Sequence, residues 1–290
     1  MDPASNADIL KPSSPTLLIV GGTTEGRIAL QVCDEAGKTF FYSTKSSSQQ
    51  VESAHGKRVS GGLDKQLMYD FCLLHTIGLI VDAAHPFAEN VHKNIGEAAQ
   101  ALRIPVIRFE RNFPAHNPLL HWFHDYDAAI DFLEEKKIGN LLALTGVNTI
   151  PKLKRYWLKH HCVFRIMKRD ESLAAVVQSG LSRDNILFYE DERDDRAFFE
   201  RLSPGAIITK ESGESGGFSE KVDAALSLGI LVLVIRRPPL CYVAQATVYG
   251  KHGLRKQVET WLPGFFDLKT GYTSGSCATA AAKAALTALL

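Results

Sequence analysis

The sequence predicts an α/β protein of two Rossmann-like lobes, each a parallel sheet flanked by helices, with a cleft between them. Short apolar runs of strand length alternate with amphipathic segments, the pattern of βα units whose sheet is covered by helices on both faces. The first run, Leu17 to Val20, ends in glycines and opens directly into a helical pattern. The alternation stops at 111–118, where proline and polar residues exclude regular structure, and then begins again.

In the first lobe, strands are expected at 16–20, 39–43, 79–82 and 105–109, with helices at 24–36, 64–75 and 87–102. In the second, strands are expected at 140–145, 163–167, 186–189, 206–209 and 231–235. Helices fall between them at 127–136, 149–158, 173–180, 195–202 and 219–228. The lobes are bounded at 16–115 and 116–264, after a flexible extension at 1–15 and before a tail at 265–290. Ligands of open α/β sheets bind outside the C-terminal strand ends, so the cleft between the lobes is the expected site.

Composition narrows the partners. Among 290 residues, 33 basic and 32 acidic side chains nearly cancel, which leaves no field to draw nucleic acid or an anionic membrane surface. The longest apolar runs, such as 230–235, are of strand length and too short to span a bilayer. The first 15 residues lack the basic and apolar segments of a signal peptide. Cys33, Cys72, Cys162, Cys241 and Cys277 form no CxxC pair, so neither a disulfide framework nor a metal site is expected, and a cytoplasmic location follows.

The chemistry lies in the loops at the strand ends. Gly21, Gly22, Thr23, Thr24, Glu25, Gly26 and Arg27 form a strand-to-helix turn. Its glycines allow close approach of a pyrophosphate, and its amides sit at the positive end of a helix. The spacing departs from GxGxxG, so a plain connecting turn is the competing reading. Glu25 has two candidate roles, capping the helix or meeting a ribose hydroxyl. After the second strand come Ser43, Thr44 and Lys45, then more serines; hydroxyls and a cation there suit a 2′-phosphate and favour NADPH over NADH, unless the stretch is a mobile loop.

Asp82 and His85 share the next strand-to-helix turn. Either Asp82 caps the helix and His85 bonds within the turn, or His85 donates a proton to substrate. In the second lobe, Lys210, Glu211, Ser212, Gly213, Glu214, Ser215, Gly216 and Gly217 follow a strand as an anion cradle rich in backbone donors. Thr145, Gly146 and Arg165 add donors around the same cleft, with solvated surface roles as the alternative for each cation.

Four motifs in order resemble the precorrin-6A reductase family of cobalamin (vitamin B12) biosynthesis: the turn at 21–27, the stretch from Asp82 to Ala88, Lys210 to Gly213 with Gly216, Gly217 and Phe218, and Ile235 to Pro238. The resemblance covers about 16–262. It implies reduction of one carbon–carbon double bond of a cobalt-containing or cobalt-free corrin precursor by NADPH or NADH, with no flavin and no catalytic metal. Under it, the glycine turn with Ser43, Thr44, Lys45 and Asp82 is expected to bind the cofactor. Phe87, Thr145, Gly146, Arg165, Ser212, Gly213, Gly216 and Gly217 are expected to meet the tetrapyrrole. His85 is the expected proton donor, with Lys210 or solvent as rivals.

The tail from Lys269 through Thr279, including Cys277, resembles the opening of the cobalt-precorrin-5B C1-methyltransferase family. The expectation is the start of a fused or neighbouring enzyme of the pathway; a chance alanine-rich helix is the alternative. Two other function classes stay open, a non-catalytic NADPH-binding regulator and a two-lobed nucleotide-sugar transferase, because fold alone does not separate them.

Overall fold

The structure is a computed structural model that describes residues 15–45, 52–191 and 194–266. The expectations for the N-terminal extension, for the serines at 46–48 and for the tail beyond 266 lie outside the described residues. In chain order the elements are β1 (Thr16–Val20), α1 (Thr24–Asp34), β2 (Phe40–Thr44), β3 (Gly56–Ser60), α2 (Lys65–Leu74), β4 (Ile77–Asp82), α3 (Glu89–Leu102) and β5 (Val106–Glu110). There follow β6 (His121–Phe123), α4 (Tyr126–Glu135), β7 (Asn140–Ala143), α5 (Lys154–Trp157), β8 (His161–Ile166), α6 (Asp170–Ser179), β9 (Ile186–Phe188), α7 (Asp195–Leu202), β10 (Ala206–Lys210), α8 (Phe218–Ser227) and β11 (Leu231–Ile235). Last come β12 (Ala246–Tyr249) and α9 (Gly250–Trp261).

Two six-stranded sheets result, in the orders β12-β5-β4-β1-β2-β3 and β6-β11-β10-β7-β8-β9, and every strand pair is parallel. Helices cover both faces, so the central strands are apolar throughout: Leu17, Leu18 and Ile19, like Ile207 and Ile208, are fully buried. In the first sheet the strand order reverses between β1 and β4, and in the second between β7 and β10. Those switch points put the Gly21–Gly22 and Ala83–His85 loops side by side in one lobe, and the Thr145–Gly146 and Lys210–Ser212 loops side by side in the other. No helix among the described residues is long and apolar enough to cross a membrane.

Three departures from the sequence reading have identifiable causes. Strand β3, Gly-Lys-Arg-Val-Ser, is an edge strand with Lys57 and Arg58 exposed, so it carries no apolar signal. The helix expected at 149–158 is broken into 3-10 turns at Val147–Thr149 and Pro151–Leu153 before the single turn of α5. Pro151 lacks an amide and restricts the residue before it.

The lobe boundary at 264 is also corrected. β12 leaves the second lobe and pairs with β5, Ala246 opposite Ile107 and Tyr249 opposite Glu110, as the edge of the first sheet. α9 follows it, and Leu254, Val258 and Leu262, spaced four apart, join Leu17, Ile19 and Ala29 in the first lobe's core, with Phe265 and Phe266 beyond the helix. Burying that stripe, roughly 1.5–3 kcal/mol per large apolar side chain, is what draws the segment back.

Candidate active site

The glycine turn is shaped by Tyr42. Its ring is buried beneath the turn, and a Cβ on Gly21 would lie 2.4 Å from ring carbon Cε2. A Cβ on Gly26 would lie 2.7 Å from the Cα of Gly21, so helix and strand close on each other only as glycines. Gly22 has φ +97°, and no described atom lies within 4 Å of where its Cβ would be; its N–H donates to the Tyr42 hydroxyl at 3.2 Å. Thr23 caps α1, accepting from the Gly26 N–H at 3.0 Å and donating to the Ala83 carbonyl at 2.7 Å. The N–H groups of Thr24 and Glu25 then have no intrahelical acceptor and face outward at the positive end of α1.

A dinucleotide fits this cradle. Its pyrophosphate would rest on Gly22 and the amides of Thr24 and Glu25. Ser43 and Thr44 are buried at the end of β2, the Ser43 carbonyl accepting the Gly21 N–H at 2.9 Å, while Lys45 just beyond them is exposed. Of those three expected contacts, Lys45 alone offers its side chain to a ligand. Arg27 is exposed, with its guanidinium donating to the Thr24 hydroxyl at 3.0 Å.

The Asp82 carboxylate is engaged by protein groups on both oxygens. It is fully buried; Oδ1 accepts from the Ala84 N–H and from Arg108 Nη1, both at 3.0 Å, and Oδ2 accepts from the Tyr242 hydroxyl at 2.6 Å and lies 2.7 Å from His92 Nδ1. Burial alone would raise its pKa; the His92 bond, the Arg108 charge and the Tyr242 bond hold the carboxyl below its ordinary range. Through His92, whose Nε2 lies 3.1 Å from the His85 carbonyl, this network fixes the turn that carries His85.

His85 is held within its own turn. Its Nδ1 accepts the Phe87 N–H at 3.2 Å, and burial, with the charges of Arg111 and Lys210 nearby, lowers its pKa to about 3. That shift favours the uncharged imidazole near neutral pH, which is a weaker acid than the Lys210 ammonium. Lys210, its rival, ends β10; burial and the charge of Lys152 bring its pKa down to about 8. Its ammonium stands 5.2 Å from the centre of the Phe87 ring. Phe87 itself crosses from the first lobe to pack, half-buried, against the apolar core of the second.

Glu25 neither caps its helix nor waits for a ribose. The buried carboxylate takes Arg111 Nη2 on Oε2 at 2.5 Å and the Ser215 hydroxyl on Oε1 at 2.5 Å. Arg111 also donates to the Ser212 carbonyl at 2.8 Å, and its Cδ lies 2.6 Å from where a Cβ on Gly213 would sit; Gly213 has φ +71°. Gly216 leaves room for the Ser212 side chain, and Gly217, at φ +62°, opens α8. The Thr145 hydroxyl is 2.6 Å from that of Thr149, which donates to the Gly146 carbonyl.

Arg165 lies fully buried on β8, paired with Asp195 at 2.5 Å and stacked between Tyr189 and Phe198 at 4.3 and 4.2 Å, and it borders a second cavity of about 400 Å³ with Gly217 and Lys221. Sequence reasoning missed Arg111, Arg108, His92 and Tyr242. One signal was available: arginine and glutamate inside the run Val106-Ile107-Arg108-Phe109-Glu110 are anomalous in a buried parallel strand and demand partners.

A cavity of about 770 Å³ lies away from these loops, against the second half of α3 and the start of β5, with Cys241 and Val243 on its wall. Its lining brings together no residue of the four loops at the switch points, whereas Glu25, Phe87, Arg111 and Lys210 join those loops directly.

Residues 16–258 match the family described as Precorrin-6x reductase CbiJ/CobK. The cobalt-precorrin-6A reductase of Priestia megaterium is 33% identical over 81% of this chain and 94% of its own length. That of Methanocaldococcus jannaschii is 28% identical over 78% and 92%. A solved structure of CobK precorrin-6A reductase superimposes with a TM-score of 0.69 at 21% identity, covering 85% of this chain and 97% of that one, which bears on the fold.

Proposed function

This chain belongs to the precorrin-6x reductase family, and on that premise we propose that it takes up NADPH at the glycine turn and reduces one carbon–carbon double bond of cobalt-precorrin-6A, with Lys210 supplying the proton. It is an oxidoreductase of cobalamin biosynthesis. The observation that carries the assignment of parts is the direct joining of the two switch-point loops, nucleotide turn to lysine loop, by Glu25, Arg111 and Phe87.

NADPH bound there supplies a hydride to one carbon of the double bond; the neighbouring carbon then needs a proton. Lys210, with a pKa of about 8, is largely protonated at neutral pH yet gives its proton readily. The neutral His85 has a different task. It holds the loop at Phe87 through its own Nδ1, and the Asp82–His92 pair holds it through its carbonyl. Phe87 stands beside the ammonium, its ring centre 5.2 Å away, and partial burial lowers the lysine's pKa. The macrocycle's carboxylates suit the cations and amides of this rim, Lys152 and the loop 212–217 among them. Lys45, exposed beyond β2, supports NADPH over NADH. The relatives' names support the cobalt-containing substrate, and a cytoplasmic location fits such an enzyme.

The test is anaerobic incubation of the full chain with cobalt-precorrin-6A, then precorrin-6A, with each reduced nicotinamide in turn. Loss of nicotinamide absorbance together with a shift of the macrocycle's visible bands is expected; no change with either substrate overturns the reading.

A further inference from the structure

We propose that Glu25 and Arg111 are positioning residues, a clamp that sets the lysine loop of the second lobe against the nucleotide turn of the first. The proposal rests on the reading that Lys210 delivers the proton. Glu25 is the second residue of α1, inside the turn itself, and Arg111 is the first residue after β5, where the chain leaves the first lobe. Their side chains are 7% and 4% exposed.

A buried ion pair is a poor source of net stability, since desolvation offsets most of its attraction. Neither Glu25 nor Arg111 lies among the apolar side chains that form the two sheets' cores. Yet two of the cluster's bonds, Arg111 to the Ser212 carbonyl and Ser215 to Glu25, cross the lobe boundary. One Glu25 oxygen holds Arg111 and the other holds Ser215, 190 residues away. Arg111 Nη1 holds the Ser212 carbonyl, and the Ser212 N–H returns to the Lys210 carbonyl at 2.7 Å. The Arg111 stem fills the space that a side chain at 213 would occupy. An unbroken path of three contacts therefore runs from the first turn of α1 to the backbone of Lys210. Its consequence is that the proton donor is placed from the cofactor side of the cleft.

The clamp is tested with variants that spare the fold. Arg111→Lys keeps a cation for Glu25 but loses the planar fork that reaches Glu25 and Ser212 together. The double variant Glu25→Gln/Arg111→Met removes both charges, so neither is stranded. In each, NADPH affinity by fluorescence titration should stay within about threefold of the parent, and KM for the macrocycle should change little. The kcat should fall about tenfold or more, because the interaction lost acts on the placement of the donor. Ser215→Ala, which breaks one bond of the clamp, should lower kcat by about two- to threefold.

A kcat within about twofold of the parent in both Arg111 variants overturns the clamp. A proportional loss of kcat and NADPH affinity, tracking the melting temperature, overturns it too, since that is the signature of a merely structural pair. Lys210→Met separates the two proposals: an alkaline limb that survives this substitution refutes the lysine, while the split between kcat and affinity in the Arg111 variants still judges the clamp.

Discussion

Lys210 makes the sharpest prediction, because a lysine that titrates near pH 8 sets an alkaline limb on activity that a lysine at its ordinary value would not. With a pKa of about 8, the ammonium is about 90% populated at pH 7, half at pH 8 and roughly 9% at pH 9. The kcat/KM for the macrocycle should therefore fall about tenfold per unit above pH 8, where a lysine at its ordinary value would leave it level to about pH 9.5. The folded pKa lies below the unfolded one, so the unfolded chain binds more protons between about pH 8 and 10.5 and the group's contribution to stability rises through that window. Its limit is about 3 kcal/mol, from two and a half units at 1.36 kcal/mol each. Burial raises the pKa of the Cys33, Cys72 and Cys162 thiols, and the stability they lose above about pH 9 opposes the lysine's gain, so the lysine's share is read from the difference between the parent and Lys210→Met. A rate that falls while the melts show the chain still folded excludes alkaline unfolding as the cause of the limb.

The assay is anaerobic loss of reduced-nicotinamide absorbance from about pH 6 to 10, with urea melts at the same values. Lys210→Met should abolish the limb and lower turnover by roughly 10²–10⁴-fold. His85→Gln should keep the limb, since the lowered pKa of His85 already favours its uncharged form and glutamine offers an acceptor for the Phe87 N–H. A kcat/KM that is flat to pH 9.5, or a limb that persists in Lys210→Met, refutes the reasoning.

Two further outcomes follow from the first lobe. Gly21→Ala drives a methyl to 2.4 Å from the buried Tyr42 ring, an overpacking that should cost about 1–3 kcal/mol and lower the melting temperature by about 2–4 °C per kcal/mol; Tyr42→Leu in the same chain should recover part of it, and an unmoved melting temperature in the single variant would show that the turn does not rest on Tyr42. Lys45→Ala should weaken NADPH about tenfold and leave NADH nearly unaffected, measured as the ratio of their dissociation constants; an unchanged ratio places the 2′-phosphate elsewhere.

Much of the fold was legible because parallel strands buried on both faces must be apolar throughout, as in β1, β10 and β11. β3 escaped because an edge strand needs no such run, and β12 because a four-residue strand can join either sheet until the burial of α9 chooses. The glycine turn was legible for a local reason: Gly21 and Gly26 stand where a Cβ collides, and Gly22 where φ is positive. The roles of the charged residues were not. Asp82, Glu25 and Arg165 were expected at a ligand and are each engaged by protein partners, Asp82 by Tyr242, 160 residues on, Glu25 by Arg111, 86 residues on, and Arg165 by Asp195, 30 residues on.

The sequence by itself determined where strand, turn and helix meet, and hence where a glycine turn and a lysine stand at strand ends, because backbone conformation and apolar periodicity are properties of neighbouring residues. Only the tertiary structure decided the surroundings of the titratable groups. Burial and charge compensation are set by side chains that folding brings from distant parts of the chain, and these lower the pKa of His85, engage Asp82 and Glu25, and bring Lys210 down to about 8.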